Sequence, residues 1–271
     1  MTEAQPLQRV VLITGATAGI GKLCAEHLAA RGWRVFGAGR RANVAVAGVE
    51  MIFMDVDDDA SVRAGVETVL ARAGRLDAVI NNASFSTRGA VEDFSIEDAK
   101  AQFETNFFGA LRVCQAVLPA MRANGSGCIV NMSSLAGLVG LPFAGLYSAS
   151  KFAIEGLTES LRHETRQFNI RVVLVEPGDF RTEIAAKRRF YAPETSAYRA
   201  VFDGFMQRRA SHAAASPTPE PIARLVEEIL NTERPKLRYA VGLRQQLLLV
   251  GAKRLLPQRL FEWAFIRVMS H

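Results

Sequence analysis

The sequence predicts one doubly wound α/β fold, a parallel sheet of about seven strands with helices on both faces. Three observations predict it. Short apolar runs recur along the chain with helix-like stretches between them, the order expected of strand–helix–strand units. The first run leads directly into a glycine-rich turn and then a helical pattern. No internal repeat or low-complexity tract interrupts the 271 residues, which suffice for one large core.

Residues 10–13, Val-Val-Leu-Ile, form a continuous apolar, β-branched run, as a strand buried on both faces requires. The turn 14–21 reads Thr-Gly-Ala-Thr-Ala-Gly-Ile-Gly, and Leu23, Leu28 and Ala29 fall on one side of the helix that follows. This succession presents free backbone N–H groups and a helix N-terminus to a phosphate. Gly15 permits the tight turn, Gly19 the close approach of a pyrophosphate, and Gly21 the packing of helix on strand. The spacing is Gly-x-x-x-Gly-x-Gly rather than the more widespread Gly-x-Gly-x-x-Gly. Further strands are expected at 34–38, 50–54, 78–80, 128–132, 171–175 and 237–241, and a helix over 103–118. Parallel neighbours need right-handed crossovers, which places helices on both faces.

Residues 147–151 read Tyr-Ser-Ala-Ser-Lys. On a helix the Tyr147 phenol and the Lys151 amine share one face, four positions apart. Free tyrosine has a pKa of about 10, so roughly one molecule in a thousand is phenolate at neutral pH. A cation beside the phenol favours the charged form and suits it to give or take a proton.

Other chemistry finds no support. Cys24, Cys114 and Cys128 are too few and scattered for a disulfide framework or a zinc site, and read as buried thiols. His27, His163, His212 and His271 lack ligand spacing, so no metal site is expected. The formal charge is +6, without the basic stripe or aromatic ladder of a nucleic-acid binder. Residues 1–8 are short and polar, with no apolar core of a signal peptide. A cytoplasmic location is expected, with membrane contact at most peripheral.

Together these segments resemble the classical short-chain dehydrogenase/reductase family over roughly residues 8–240. The resemblance rests on the 14–21 turn, Asn81-Asn82-Ala83, Asn106, Ser134, Tyr147 with Lys151, and Pro177-Gly178 through Thr182. Ser134 precedes Tyr147 by thirteen residues, the family's spacing for its catalytic serine, and Ser133 has the wrong offset. Where the family has Asn-Asn-Ala-Gly, this chain has Ser84 as the fourth residue.

The resemblance implies a Rossmann-type domain and a catalytic set of Ser134, Tyr147, Lys151 and Asn106. Tyr147 would exchange a proton with a carbonyl or hydroxyl oxygen, Ser134 would hold that oxygen, and Lys151 would contact the nicotinamide ribose. Asn106 would anchor a water relay through Lys151. Cofactor contacts would come from Gly15, Thr17, Gly19, Ile20, Gly21, Asn81, Ala83, Tyr147, Lys151, Pro177, Gly178 and Thr182, with Asp55 and Val56 at the adenine. An NAD-type chain usually ends its second strand in a carboxylate, near Gly39 here, and none is present. Arg40, assisted by Arg41, offers guanidinium forks to a 2′-phosphate, so NADP(H) is the expected cofactor.

In this family the stretch 183–219 forms a lid over the substrate, and here it carries Phe190, Tyr191, Tyr198, Phe202, Phe205 and Met206. These suggest a roomy apolar cavity. Gly140-Leu141-Pro142-Phe143 and 152–157 resemble the hydroxysteroid and retinol dehydrogenase branch, implying a lipophilic ketone or alcohol, steroid-, retinoid- or long-chain-like. The expected division is 1–243 for the dehydrogenase domain and 244–271 for a basic, apolar extension. That tail reads either as packing on the body, lid or a second subunit, or as an amphipathic anchor on a lipid surface. A homodimer or homotetramer is implied by the resemblance. Three other readings stay open: a 3-ketoacyl-type reductase of lipid synthesis with a basic entrance at Lys187, Arg188 and Arg189, a cofactor-binding protein without turnover, and a peripheral membrane protein acting through its tail.

Overall fold

A computed structural model describes residues 8–41, 43–181, 189–214 and 216–270. Strand β1 (Val10–Thr14) is buried along its whole length and lies between β2 (Arg34–Gly39) and β4 (Ala78–Asn81), parallel to both. With β3 (Val49–Phe53), β6 (Gly127–Met132), β7 (Ile170–Pro177) and β9 (Arg238–Val241), a seven-stranded parallel sheet runs in the order β3-β2-β1-β4-β6-β7-β9.

The continuous apolar strands follow from burial on two faces. Alternate side chains of β1 point oppositely. Val11 and Ile13 pack with Leu28 of α1 (Gly19–Ala30) and Val226 of α7 (Glu220–Asn231). Val10 and Leu12 pack with Val66 of α2 (Asp59–Ala73), Val117 of α4 (Gly109–Ala123) and Leu161 of α5 (Gly145–Thr165). The sheet's carboxyl ends therefore open onto the glycine turn after β1 and the start of α5.

Two features differ from the sequence expectation. The helix expected over 103–118 is interrupted: α3 (Ile96–Phe103) passes into a π turn, Glu104–Phe108, before α4 begins. A second, two-stranded parallel sheet joins β5 (Thr87–Gly89) to β8 (Arg189–Tyr191). Three-residue strands are too short to show any period, so neither was visible as a pattern. Buried Gln102 secures this sheet by accepting from Thr87 N (3.2 Å) and Thr87 Oγ1 (2.7 Å) and donating to Phe85 O (2.7 Å). Tyr191 adds a donor to Asp98 Oδ1 at 2.7 Å. Helix α6 (Arg199–Ala214) then lays Phe202 and Phe205 against Phe143, ring centroids 5.4 and 5.3 Å apart.

The C-terminal stretch folds into α8 (Arg244–Leu255) and α9 (Gln258–Ser270). Val250 and Phe261 are buried with Leu135 and Val139, so the tail packs on the segment that follows β6. Among the described residues no helix is long and apolar enough to cross a membrane.

Gln102→Leu keeps volume but takes the buried acceptor from the Thr87 N–H and hydroxyl, at a cost of about 1–3 kcal/mol. Urea unfolding of this variant is expected to show a lower midpoint with an unchanged slope.

Candidate active site

The glycine turn is held from below by the end of β4. Thr14 Oγ1 accepts from the backbone N–H groups of Asn82 and Ala83, both at 3.0 Å, and Asn82 Nδ2 donates to Thr14 O (2.9 Å) and Gly15 O (3.3 Å). Gly15 and Gly19 sit at φ +67° and +58°, where a side chain is strained. A Cβ on Gly21 would lie 2.3 Å from Asn82 Nδ2 and 2.5 Å from Gly15 O, so only glycine fits there. The helix cap, Ala18, contributes no side-chain hydrogen bond and the first turn of α1 holds no acid, which leaves its N–H groups for an anion. This cradle fits a dinucleotide's pyrophosphate. Asn82 is the residue the sequence reading passed over as a site member. Its place in Asn81-Asn82-Ala83 was the available signal.

At the end of β2, Gly39 leaves the approach open and Arg40 and Arg41 are exposed. Arg40 is close enough to Asp57 to act on its carboxyl, which burial above all raises. Asp55 and Val56 follow β3, with Asp55 N donating to Ser61 Oγ at 2.9 Å. Thr17 packs beside Gly39 and Ile20 faces the cavity described below. Asn81 Nδ2 donates to Asn131 Oδ1 at 2.8 Å inside the sheet, so its amide braces strands.

Helix α5 carries Tyr147 and Lys151 one turn apart, as its spacing predicted. The Lys151 ammonium nitrogen lies 5.8 Å from the Tyr147 ring centroid and donates to Met132 O at 2.8 Å. Lys151 is 3% exposed, and burial lowers its pKa to about 8 against the opposing charge of Glu155. Ser134 Oγ accepts from Ala136 N (3.1 Å) and donates to Pro177 O (3.2 Å), which ties the end of β6 to the end of β7. Ser133 and Ser134 both line the cavity, Ser133 being buried beside Glu155.

Asn106 sits in the π turn. Its side chain accepts from Phe85 N and donates to Phe85 O, both at 3.0 Å, and its Nδ2 reaches Ser150 Oγ at 3.1 Å. Ser150 Oγ in turn donates to Tyr147 O at 2.8 Å, so Asn106 is linked to the helix that carries the phenol.

Ser134, Tyr147, Lys151, Pro177 and Gly178 line one cavity of about 880 Å³. Its far wall is apolar, with Leu141, Val139, Phe205, Leu249, Val250 and Phe261 from the α5 approach, α6 and the tail. Gln246 of α8 closes one side, accepting from Asp179 N at 3.2 Å and donating to Asp179 Oδ2 at 2.9 Å. Thr182 lies outside the described residues. Arg88 was not foreseen: it is buried on β5, with its guanidinium carbon 5.4 Å from the Tyr147 ring centroid. A phenol, a hydroxyl and the Lys151 and Arg88 cations thus line a partly open cavity with a largely apolar wall. That arrangement can pass a proton to or from a ligand oxygen and hold charge on it.

Beneath the site, Arg238 Nε lies 3.0 Å from Glu155 Oε2 and 3.3 Å from Glu176 Oε1, and its other nitrogen meets Glu159. One guanidinium serves three carboxylates, two of them buried. Burial and the neighbouring Glu155 push the Glu176 carboxyl up to about 7. Among the described residues no group of histidines, cysteines and acids suits a metal ion. Burial raises the thiols of Cys24 and Cys114 to about 12 and of Cys128 to about 11, so none offers a thiolate nucleophile near neutral pH.

Residues 9–191 match the family model described as short chain dehydrogenase. A 3-ketodihydrosphingosine reductase of Bacteroides thetaiotaomicron is 36% identical over 265 residues, spanning 94% of this chain and 96% of the relative. A solved short-chain dehydrogenase of Streptomyces avermitilis aligns with a TM-score of 0.82 at 33% identity, over 98% of this chain and 100% of its own. A short-chain dehydrogenase/reductase of Burkholderia phymatum, solved in complex with NAD, aligns with a TM-score of 0.78 at 26% identity, over 91% and 93%.

Glu176 links stability to pH. Its folded pKa, about 7, exceeds the ordinary 4.5, so the native state keeps a proton that the unfolded chain releases between those values. Stability from this group is full below the lower value and is lost as pH rises through the upper one. The melting temperature of the native protein, measured relative to Glu176→Gln, is expected to fall from pH 4.5 to pH 7. Parallel curves would refute the assignment.

Proposed function

The chain belongs to the short-chain dehydrogenase family, and on that premise we propose that it is an NADP(H)-dependent oxidoreductase interconverting a carbonyl and a secondary alcohol on a lipophilic substrate. The observation that carries this reading is the convergence of Tyr147, Ser134 and Lys151 on one side of an apolar cavity. Tyr147 donates its phenolic proton to the carbonyl oxygen during reduction and takes it back during oxidation. Ser134 hydrogen-bonds the same oxygen and holds it as charge develops. Lys151, buried beside the ring, favours the phenolate left behind. Asn106, fixed by Phe85, anchors the path by which the proton is replaced through Lys151.

The dinucleotide, when bound, supplies or accepts the hydride. The turn residues Gly15, Thr17, Gly19, Ile20 and Gly21 bind its pyrophosphate, Asp55, Val56, Asn81 and Ala83 its adenosine half, and Pro177, Gly178 and Thr182 its nicotinamide end. Arg40 and Arg41 select the 2′-phosphate. This choice rests on the arginines and on the missing carboxylate at Gly39, and departs from the NAD held by the Burkholderia phymatum neighbour. The lipophilic substrate is supported by the cavity's apolar wall and by the relative whose name specifies a 3-keto lipid.

The tail adds exposed Leu255, Leu260, Trp263 and Ile266 among Arg254, Arg259 and Arg267, a composition suited to peripheral contact with an anionic lipid surface. Leu248, exposed yet lining the cavity, supports a lipid contact next to the substrate's entrance. A homodimer or homotetramer completes the proposal.

Steady-state reduction of ketones of increasing chain length tests it, with NADPH and NADH compared. Activity is expected to grow with chain length, and Arg40→Ala to raise the KM for NADPH about 10- to 100-fold while leaving that for NADH nearly unchanged, the loss of a charge-assisted contact. Preference for NADH, or for small ketones, would overturn the corresponding half of the reading.

A further inference from the structure

Three buried oxygens near Lys151, Ser133 Oγ, Glu155 Oε1 and Glu176 Oε1, make no aligned hydrogen bond among the described residues. Ser133 and Glu176 nonetheless come within reach of the Glu155 carboxyl. Each belongs to a different part of the fold: Ser133 follows β6, Glu155 lies on α5, and Glu176 precedes Pro177 at the end of β7. The turn after Ser134 closes over them, since a Cβ on Gly137 would lie 2.7 Å from Ser133 Oγ and 3.1 Å from Lys151 O. Glu155 and Glu176 are 6% and 1% exposed, so water screens their charges little.

Around the pair stand Lys151 and Glu159 of α5, Arg238 of β9 and Arg254 of α8. Arg238 Nε reaches Glu155 Oε2 at 3.0 Å and Glu176 Oε1 at 3.3 Å, so one N–H is divided between two acids. Two carboxylates in that contact would repel, and each would keep an oxygen without a donor. A single proton on the pair removes both penalties, because one carboxyl then donates to the other. Burial raises both carboxyls, and the Glu155 charge raises Glu176 further, which agrees with that arrangement. The negative charge that remains has a use. Glu155 is four positions from Lys151 on α5, hence on the same face. Burial favours loss of the Lys151 proton, and Glu155 opposes it.

We propose that Glu155 and Glu176 hold one proton between them, and that the negative charge left on the pair keeps Lys151 cationic, which makes both acids positioning residues for the proton step at Tyr147. This rests on the preceding reading that Tyr147 exchanges a proton with the substrate.

Removing the charge makes the Lys151 cation, and through it the Tyr147 phenolate, less favourable. Glu155→Gln is therefore expected to raise the pH at which Tyr147 ionises by about one unit, roughly a tenfold loss of phenolate at fixed pH. Phenolate absorbance without cofactor, read as the difference from Tyr147→Phe in the same background, measures this without turnover. The pH profile of alcohol oxidation should move by the same amount towards alkaline pH. Glu155→Asp, which keeps the charge, should restore part of both shifts. A folded Glu155→Gln protein whose phenol ionises as in the native chain would overturn the proposal. Infrared spectra of the native protein test the shared proton independently. A carboxylic acid C=O band is expected on the acid side of about 7, fading on the alkaline side and missing from Glu176→Gln. Absence of that band from the native protein, or its survival in Glu176→Gln, would also overturn the proposal. If no ketone or alcohol turns over but the band and the phenol shift are found, the reductase reading fails and the carboxyl pair stands.

Discussion

The burial of the Lys151 ammonium is the constraint on which the site depends. A cation 3% exposed is tolerated only where acceptors and opposite charge meet it. Here Met132 O accepts its proton at the carboxyl end of β6, and Glu155 stands one turn further along α5. That bond fixes the start of α5 over the end of the sheet, and the same helix turn then has to present Tyr147 to the cavity. The Glu155–Glu176–Arg238 group beneath is the counterpart of this demand. Glu155 opposes the ammonium's charge, and Arg238 holds Glu155 and Glu176 side by side.

A second fixed point, the Thr14 hydroxyl, joins the dinucleotide cradle to the rest. By accepting the backbone N–H groups of Asn82 and Ala83, just after β4, it locks the glycine turn to the strand end beside Ser84 and Phe85. Phe85 is in turn held by Asn106, and Asn106 by Ser150 of α5. Cradle, π turn and α5 are therefore one hydrogen-bonded frame on the side of the cavity that carries Tyr147 and Lys151. The opposite wall is built of apolar side chains from α6, α8 and α9, which set the shape of the ligand rather than its chemistry.

Much of this was legible in the sequence because local chemistry encodes it. β-Branched apolar runs marked the strands at 10–13 and 171–175, and the spacing of the turn marked Gly15 and Gly19, which the fold holds at positive φ. The helix spacing of Tyr147 and Lys151 was physical, whereas the assignment of Ser134 and Asn106 came from family resemblance. What escaped lacked a local signal. A π turn differs from an α turn by one residue, so Asn106 looked like an ordinary helical position. Strands β5 and β8 are three residues each and pair across about a hundred positions, so nothing near Arg88 announced a buried cation. The tail's mixed apolar and basic character left two readings open. Its burial of Val250 and Phe261 against Leu135 and Val139 depends on a surface made elsewhere in the chain.

The most direct test of the account is Tyr147→Phe, assayed for long-chain ketone reduction and, separately, for NADPH binding by fluorescence titration. The account predicts that kcat falls by about 10²–10⁴-fold, the worth of a positioned general acid, while the Kd for NADPH stays within a factor of about three. Retention of turnover, or loss of cofactor binding in step with turnover, would contradict the role given to the phenol beside Lys151.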